Sequence, residues 1–511
     1  MDASKVRYRV QKMTELTEDE FISCAELFSA NYGYYREDSP FHPGQSIRMS
    51  GSFFERKYRH SNVYIASAIY RKKRVGQAIY IRKHYEDVGT MTWVLQLVVA
   101  DGYRKYGIGS QLLHSIWGFS NDFAWGLATA NPCTIKALES ATFRRCDPLY
   151  IKDNLKYIKR LADEIHFVDT EEYIVDEGNG SFVNTEFFVD NAEYVNAYKQ
   201  IPDWKLGKLE PGYEWLAFTF REQDVDKQSF EKHFSKMLEF SDEGLKDAYS
   251  RMNMSSQGWT KGTSNEVDYI KSVVPKLQGK SKILDLGCGL GRHALAFATE
   301  GFSVKGVDFS SNHINYAKKK ALSYHVRDNV KFVTKDIRSF SDNEQYDLVL
   351  SLYDVIGSYP GKEDNMKILQ TIVSHMKNGG YCVISVMNME LTKSIIPESN
   401  HIDVEKDIQK LYDLQPSSIM QMSGDIFNPE YILIDKDTDV IYRKEQFSED
   451  RNLPAEYIVR DKRYMRNEIE NMLERVGLTI ITSRYVQAGH FDVELSATDN
   501  RAKEILIIAK K

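Results

Sequence analysis

The sequence predicts a multidomain α/β protein. An α+β domain is expected over residues 1–150, a small α+β linker region over 151–235, and a parallel doubly wound sheet over 236–511. Three observations carry this. The chain has 511 residues, enough for about three domains of ordinary size. Hydrophobic residues make up 42% and charged residues 27%, a balance that lets a chain bury a core rather than stay disordered. Near residue 230 the hydrophobic pattern changes, from short strands mixed with helices to regular strand–helix alternation.

In chain order, 7–13 reads as a strand and 18–32 as an amphipathic helix. Residues 63–70 and 75–83 are two strands joined by the basic turn Arg71-Lys72-Lys73-Arg74. The strand over 92–99 is almost continuously apolar, so burial of both faces is expected. A glycine-containing turn, a helix over 109–119, a strand over 123–129 and a helix over 134–140 follow. In the linker region, 171–176 and 181–189 flank a turn as a hairpin, 193–199 reads as helix and 213–221 as strand. Beyond residue 236, strands over 282–286, 303–307, 330–334, 348–352 and 382–387 alternate with helices. Strands over 431–435, 440–447 and 456–463 interrupt that rhythm as an inserted β-rich lid. A helix over 466–476 and strands over 479–486 and 504–509 complete the sheet.

Composition excludes several functional classes. No uninterrupted apolar run approaches the roughly 18–20 residues of a membrane span, so no membrane partner is expected. The opening MDASKVRYRV lacks the apolar stretch of a secretory signal. Five cysteines, at 24, 133, 146, 288 and 382, never fall at CxxC spacing, which argues for a reducing, cytoplasmic location and against a cysteine zinc site. The 12 histidines form no H-x-x-x-H pair, so no metal is expected. Lys+Arg number 67 and Asp+Glu 73, a net charge of −6 that argues against a nucleic-acid partner. A small-molecule or peptide substrate is expected instead.

Two glycine-rich turns carry chemistry. The first is Arg104-Lys105-Tyr106-Gly107-Ile108-Gly109-Ser110, between a strand and a helix. Glycines let the backbone approach a ligand closely, and a helix N-terminus offers unpaired N–H groups to phosphate oxygens. A second stretch, Asn131 to Phe143, follows the next strand. Together, over about residues 5–147, they resemble the GNAT family of acyl-CoA-dependent N-acyltransferases. The resemblance implies that residues 104–110 and Asn131 bind acetyl-CoA or another acyl-CoA. It also implies that the strand parts from its neighbour after Val98 and Val99, where the cofactor lies as an added strand. The match departs at two places. Leu138 stands where the family often has a tyrosine acting as general acid, and Thr142 replaces the usual glycine. Gln96, His84 and Glu86 are polar candidates on the acceptor side.

The second turn is Ile283-Leu284-Asp285-Leu286-Gly287-Cys288-Gly289-Leu290-Gly291-Arg292. Its G-x-G-x-G spacing, with Arg292 where a dinucleotide fingerprint needs glycine, points from nicotinamide to S-adenosylmethionine. Asp308 ends the next strand 23 residues after Asp285, where a carboxylate accepts ribose hydroxyls. Asp336 ends the third strand near the adenine, with Ile337 beside it. This stretch looks like the class I S-adenosylmethionine-dependent methyltransferases, with a Rossmann-like seven-stranded sheet. The resemblance implies cofactor contacts from Asp285, Gly287, Cys288, Gly289, Gly291, Asp308, Phe309, Asp336, Ile337 and Leu352. Met376–380 also resembles the family's turn before the fifth strand.

The reaction is displacement of a methyl group from a sulfonium by a nucleophile the substrate supplies, so the protein's tasks are alignment and a dry pocket. After the fourth strand comes Ser351-Leu352-Tyr353-Asp354, not the N-P-P-Y type of base and amide methyltransferases. Tyr353 and Asp354 are the catalytic candidates, contacting or deprotonating the acceptor, although Asp354 is equally suited to cap the following turn. Tyr249, Arg443 and Tyr457 are candidates for substrate binding. The leading expectation is a bifunctional transferase, methylating and acylating one small molecule or one peptide- or polyketide-type intermediate. The alternative is a methyltransferase alone, with a degenerate GNAT-like module that binds substrate or CoA. A third reading, modification of tRNA or a ribosomal protein, has less behind it.

Overall fold

The apolar strands of the first half assemble into one eight-stranded sheet in the computed structural model, which describes residues 5–165, 172–176, 178–190, 197–251, 258–275, 277–279, 281–417, 426–446 and 456–511. Two compact units result, Met1–Ser241 with Gln446–Tyr457, and Asp242–Glu445 with Ile458–Lys511.

The first unit runs β1 (Arg7–Lys12), α1 (Glu18–Asn31), α2 (Gly51–Tyr58), β2 (Val63–Tyr70), β3 (Lys73–Tyr85), β4 (Gly89–Val99), α3 (Ile108–Trp117), β5 (Ala124–Thr129) and α4 (Pro132–Thr142). α5 (Pro148–Asp153), α6 (Leu155–Ala162), β6 (Tyr173–Asp176), β7 (Gly180–Asn184) and β8 (Tyr213–Phe220) follow. α1 starts where it does because Thr17 and Glu20 form a reciprocal capping box. Strand order is β1-β2-β3-β4-β5-β8-β7-β6. The β4–β5 pair is parallel and every other pair is antiparallel.

Residues 151–235, expected as a separate region, instead lengthen this sheet. β8 is apolar and buried along most of its length, and it pairs with β5 from Ala124–Phe220 to Thr129–Trp215. A parallel pair otherwise ends in an unpaired edge, and β8 covers it. Of the helix expected over 193–199, residues 193–196 lie outside the described residues, and Ala197–Gln200 is a single 3₁₀ turn. α5 and α6 were not anticipated.

After α7 (Lys227–Arg251) and α8 (Thr263–Val273), the second sheet begins. It runs β9 (Lys282–Leu286), α9 (Arg292–Thr299), β10 (Ser303–Asp308), α10 (Ser311–Ser323), β11 (Val330–Thr334), β12 (Tyr346–Ser351), α11 (Lys362–His375) and β13 (Met376–Met387). The insertion comprises α12 (Met389–Ile395), β14 (His401–Ile402), α13 (Ile408–Asp413), β15 (Leu433–Asp435), β16 (Val440–Gln446) and β17 (Glu456–Lys462). α14 (Arg466–Arg475), β18 (Thr479–Gln487), β19 (His490–Leu495) and β20 (Glu504–Lys510) close the chain.

This sheet has the order β11-β10-β9-β12-β13-β20-β18-β19, eight strands where seven were expected. The extra strand, β19, forms a hairpin with β18 around Gly489. Most of its side chains are exposed and only Phe491 is buried, so it carries no apolar alternation to read. The turn expected over 376–380 lies inside β13 as an irregularity between Met376 and Tyr381. The insertion forms its own sheet, β14-β15-β16-β17.

Successive residues of the inner strands face opposite layers. Ile283, Leu348 and Leu350 pack with Ile270 and Phe297 on one side. Leu284 and Val349 pack with Ile368, Leu369 and Met472 on the other. That two-sided burial makes these strands apolar throughout and aligns their carboxyl ends along one edge, the place where doubly wound sheets bind ligands.

Candidate active site

The edge begins with the turn after β9. The N–H groups of Gly287 and Cys288 donate to the Val307 carbonyl at 2.8 and 3.1 Å, and Gly291 N–H donates to Cys288 O at 2.8 Å. Gly287, Gly289 and Gly291 have φ of +77°, +52° and +79°, conformations that side chains rarely adopt. A Cβ on Gly287 would lie 2.5 Å from Val355, and one on Gly291 2.8 Å from the Phe332 ring. A Cβ on Gly289 would meet nothing within 4 Å. Two glycines therefore permit packing, and the middle one faces open space. The Cys288 thiol is pushed well above its usual range, chiefly by burial, and is no nucleophile here.

Asp308, at the end of β10, fastens this turn. Its Oδ2 accepts Gly289 N–H at 2.8 Å and its Oδ1 accepts Ser310 N–H at 2.8 Å. Phe309 beside it is largely exposed, while Ile337 and Leu352 are buried. Asp336 is paired with Arg338, whose Nη2 lies 2.6 Å from Oδ2, and this bond foremost holds the Asp336 carboxyl below its usual range. Asp285 is buried, and its Oδ2 has no hydrogen-bond partner among the described residues. Burial pushes its carboxyl up to about 7 against the opposing charge of Arg292.

Past β12 the backbone takes φ of +64° at Tyr353 and +58° at Asp354, two successive non-glycine residues in the left-handed region. Such strain costs on the order of 1–3 kcal/mol per residue and persists only where the surroundings enforce it. Here the Tyr353 hydroxyl donates to Glu266, the Arg292 guanidinium lies 4.3 Å from the Tyr353 ring centre, and Tyr353 N–H donates to Ser385 Oγ at 2.8 Å. Glu266 also accepts from Arg292 Nη1 at 2.5 Å and Gly489 N–H at 2.8 Å, and lies 2.7 Å from His293 Nε2. Burial alone would raise the Glu266 carboxyl. Hydrogen bonds from His293 and Tyr353 and the Arg292 charge outweigh it and hold the group at about 2. Glu266 was missed in the sequence because its partners lie 26 to 223 residues away.

Asp354 Oδ1 has no hydrogen-bond partner among the described residues. Burial, then the Asp461 charge, push this carboxyl well above its usual range, against Arg463 and Arg443. Arg443 lies 2.5 Å from Glu445 and 3.3 Å from Asp461, and Arg463 lies 3.2 Å from Asp461. The Tyr249 phenol is raised mainly by burial, in the field of Arg443 and Asp354. Tyr249, Arg443 and Asp354 therefore share one charged cluster. Tyr457 groups with the first unit, where its ring lies 6.4 Å from that of Phe240.

In the first unit, Gly107 has φ +79° and precedes α3, and a Cβ there would meet nothing within 4 Å. Ile108 is buried, Gly109 backs onto Leu97, Ser110 is half-buried, and Tyr106 is exposed. Lys105 is exposed with φ +66°. Arg104 donates from Nη2 to Asn31 O at 2.7 Å and from Nε to Val99 O at 3.1 Å, so its guanidinium braces the turn. β4 and β5 pair only from Met91–Ala124 to Val94–Leu127, and β4 has an extra residue, Leu95, at that point. The strands thus part before Val98 and Val99, not after them. Asn131 caps α4 by accepting Cys133 N–H at 2.9 Å, and Leu138 is 0% exposed.

Residues 283–380 match the family model described as a methyltransferase domain. The C-terminal region carries a methyltransferase domain. Its matched span runs from β9 into β13 and includes Asp285, the glycine turn, Asp308, Asp336, Tyr353 and Asp354. The chain is 25% identical over 239 residues to the putative methyltransferase YqeM of Bacillus subtilis, covering 46% of this chain and 86% of that protein. It is 26% identical over 183 residues to a ubiquinone biosynthesis O-methyltransferase of Rickettsia bellii, covering 32% of this chain and 72% of that one. Among solved structures, the CcbJ methyltransferase of Streptomyces caelestis aligns at 14% identity and a TM-score of 0.38, covering 52% of this chain and 95% of that one. Among the described residues, no group of three or more His, Cys, Asp or Glu could hold a metal ion, and no helix is long and apolar enough to cross a membrane.

Proposed function

We propose that the chain is an S-adenosylmethionine-dependent methyltransferase acting on a small-molecule or peptide acceptor, with a first unit that binds substrate or CoA and performs no acyl transfer itself. One observation carries the reading: the methyltransferase match falls on a turn whose middle glycine faces open space beside an unpartnered, buried Asp285 oxygen. A carboxylate oxygen left without a donor suits the cofactor's ammonium group.

In this reading the backbone of Gly287, Cys288, Gly289 and Gly291 cradles the amino-acid and ribose parts. Asp308 keeps lone pairs for the ribose hydroxyls, and Asp336, Ile337, Phe309 and Leu352 flank the adenine. When bound, the cofactor supplies an electrophilic methyl group on a sulfonium. Asp354, at the end of the strained corner with Oδ1 unpartnered among the described residues, accepts the acceptor's proton, and burial makes its carboxyl a stronger base than an ordinary one. Tyr353 positions, since its hydroxyl is committed to Glu266 and its strained backbone aims Asp354. Tyr249 and Arg443 border the acceptor.

The expected acyl-transferase activity is not part of this reading. Leu138, where the resemblance calls for a proton donor, is sealed in the core, and Thr142 spends its hydroxyl on the Leu138 carbonyl at 3.0 Å. The open Gly107 turn supports ligand binding by residues 104–110 and not chemistry. Calorimetry of the full chain with S-adenosylhomocysteine and with acetyl-CoA tests both halves. The reading expects binding of the first, and no acetyl transfer to amines from the second. Failure to bind S-adenosylhomocysteine would refute it.

A further inference from the structure

The parallel strands of the second sheet all end at the active-site edge. β20 runs antiparallel to β13 and so begins there, with Glu504 opposite Met387. Glu504 is 3% exposed, and its Oε2 has no hydrogen-bond partner among the described residues. Its other contact is Ser385, the same hydroxyl that receives Tyr353 N–H at 2.8 Å. Glu504 therefore sits one side chain away from the strained Tyr353–Asp354 corner. The two carboxyls feel each other, for the Glu504 charge helps to raise Asp354.

Half-buried Asp354 and buried Glu504, each with an oxygen that has no hydrogen-bond partner among the described residues, are expensive on one edge, and apolar residues of similar size would serve the fold better. The surrounding cations are already committed. Arg292 is held by Glu266, Arg443 by Glu445 and Asp461, and Arg463 by Asp461, Thr392 and the Ile426 carbonyl. Among the described residues, Asp354, Glu445, Asp461 and Glu504 stand against Arg443 and Arg463, with Arg292 acting on Glu504 while bonded to Glu266. Acidic groups outnumber basic ones in this set, and Asp354 Oδ1 and Glu504 Oε2 have no hydrogen-bond partner among the described residues.

We propose that Glu504 and Asp354 form a cation-selecting pocket, and that the methyl acceptor is a primary or secondary amine that enters as its ammonium. This rests on the methyltransferase reading. The ammonium docks between the two carboxylates and gives one proton to Asp354. The freed nitrogen lone pair then bonds to the methyl carbon as the carbon–sulfur bond breaks. The bonding electron pair stays on sulfur, which becomes a neutral thioether, and the positive charge passes to the methylated nitrogen. Glu504 holds that nitrogen in line at both stages and is a specificity-determining residue.

Sinefungin and S-adenosylhomocysteine separate the two claims, because sinefungin carries an ammonium where the transferable methyl would be. Full-length protein is titrated with each, as wild type and as Glu504→Gln. The expected result is a preference for sinefungin of about tenfold at pH 8, falling toward parity in Glu504→Gln. The preference should also shrink below pH 6 in wild type, a readout that needs no variant. Glu504 faces Ser385, Glu266 and Arg292, burial pushes it up to about 7, and protonation removes its attraction for a cation. Equal affinity for both ligands, or a preference that survives Glu504→Gln, overturns the proposal and leaves the cofactor assignment standing. Absence of S-adenosylhomocysteine binding overturns the cofactor assignment and this proposal with it.

Discussion

The two glycine turns, 104–110 and 285–291, look alike in sequence and differ in what surrounds them. In the first, Arg104 is spent on the Asn31 and Val99 carbonyls, and Gly107 has room around it. In the second, two of three glycines are required by packing, and the neighbouring carboxyls of Asp285, Asp354 and Glu504 keep oxygens without hydrogen-bond partners among the described residues. A glycine turn alone is a shape. Unsatisfied buried charge beside it is what marks a place built for chemistry, because a fold gains nothing from leaving such groups unpaired.

The sharpest way to test that difference is to remove the charge. Asp354→Asn should lower methyl-transfer turnover by about 10²–10⁴-fold while S-adenosylmethionine affinity changes little, the range ascribed to losing a general base. Steady-state and binding measurements on one preparation check it, and an unchanged turnover would assign Asp354 to the turn alone.

Next in size is the packing contrast. Gly287→Val places a side chain 2.5 Å from Val355 at φ +77°, so cofactor binding should fall at least about a hundredfold and stability by about 3 kcal/mol. Thermal unfolding and calorimetry report the two effects separately.

Much of this contrast was legible in the sequence, and for physical reasons. Strand β9, the glycine turn and Asp308 are local: alternation, spacing and turn chemistry all lie between Lys282 and Asp308. β19 was not legible because its side chains are mostly exposed. Glu266 and Glu504 were not legible because their meaning comes from partners distant in sequence, and a lone glutamate in the first turn of a helix or at the start of a strand reads as solvated surface. The placing of β6 to β8 in the first sheet was hidden for another reason: an apolar strand does not say which edge it will cover.

A pH effect follows from the same carboxyls. Burial raises Glu504 to about 7 in the folded chain, so the folded state binds more protons than the unfolded one between about pH 4 and 7. Its contribution to stability is present at low pH and is lost as pH rises through about 7. Glu504→Gln should flatten the fall in stability over that window by about 3 kcal/mol, from about 1.4 kcal/mol per pKa unit. Denaturant titrations at pH 4.5 and 8 measure it, and an unchanged slope would show that Glu504 is not the group responsible.

Asp308→Ala should weaken S-adenosylmethionine binding by roughly ten- to a hundredfold, since charge-assisted hydrogen bonds of this kind contribute about 1.5–3 kcal/mol. The smallest effect belongs to the first turn. Gly107→Val meets no neighbour and should cost about 1–2 kcal/mol of stability through its positive φ alone. Any binding of CoA by residues 104–110 should be lost, with S-adenosylmethionine affinity intact.

The most direct measurement is a calorimetric titration of S-adenosylmethionine into three full-length proteins: wild type, Gly287→Val and Gly107→Val. The account predicts one site per chain in wild type, unchanged in Gly107→Val and abolished in Gly287→Val. A wild type that binds no cofactor would contradict it, as would binding that Gly107→Val removes and Gly287→Val leaves in place.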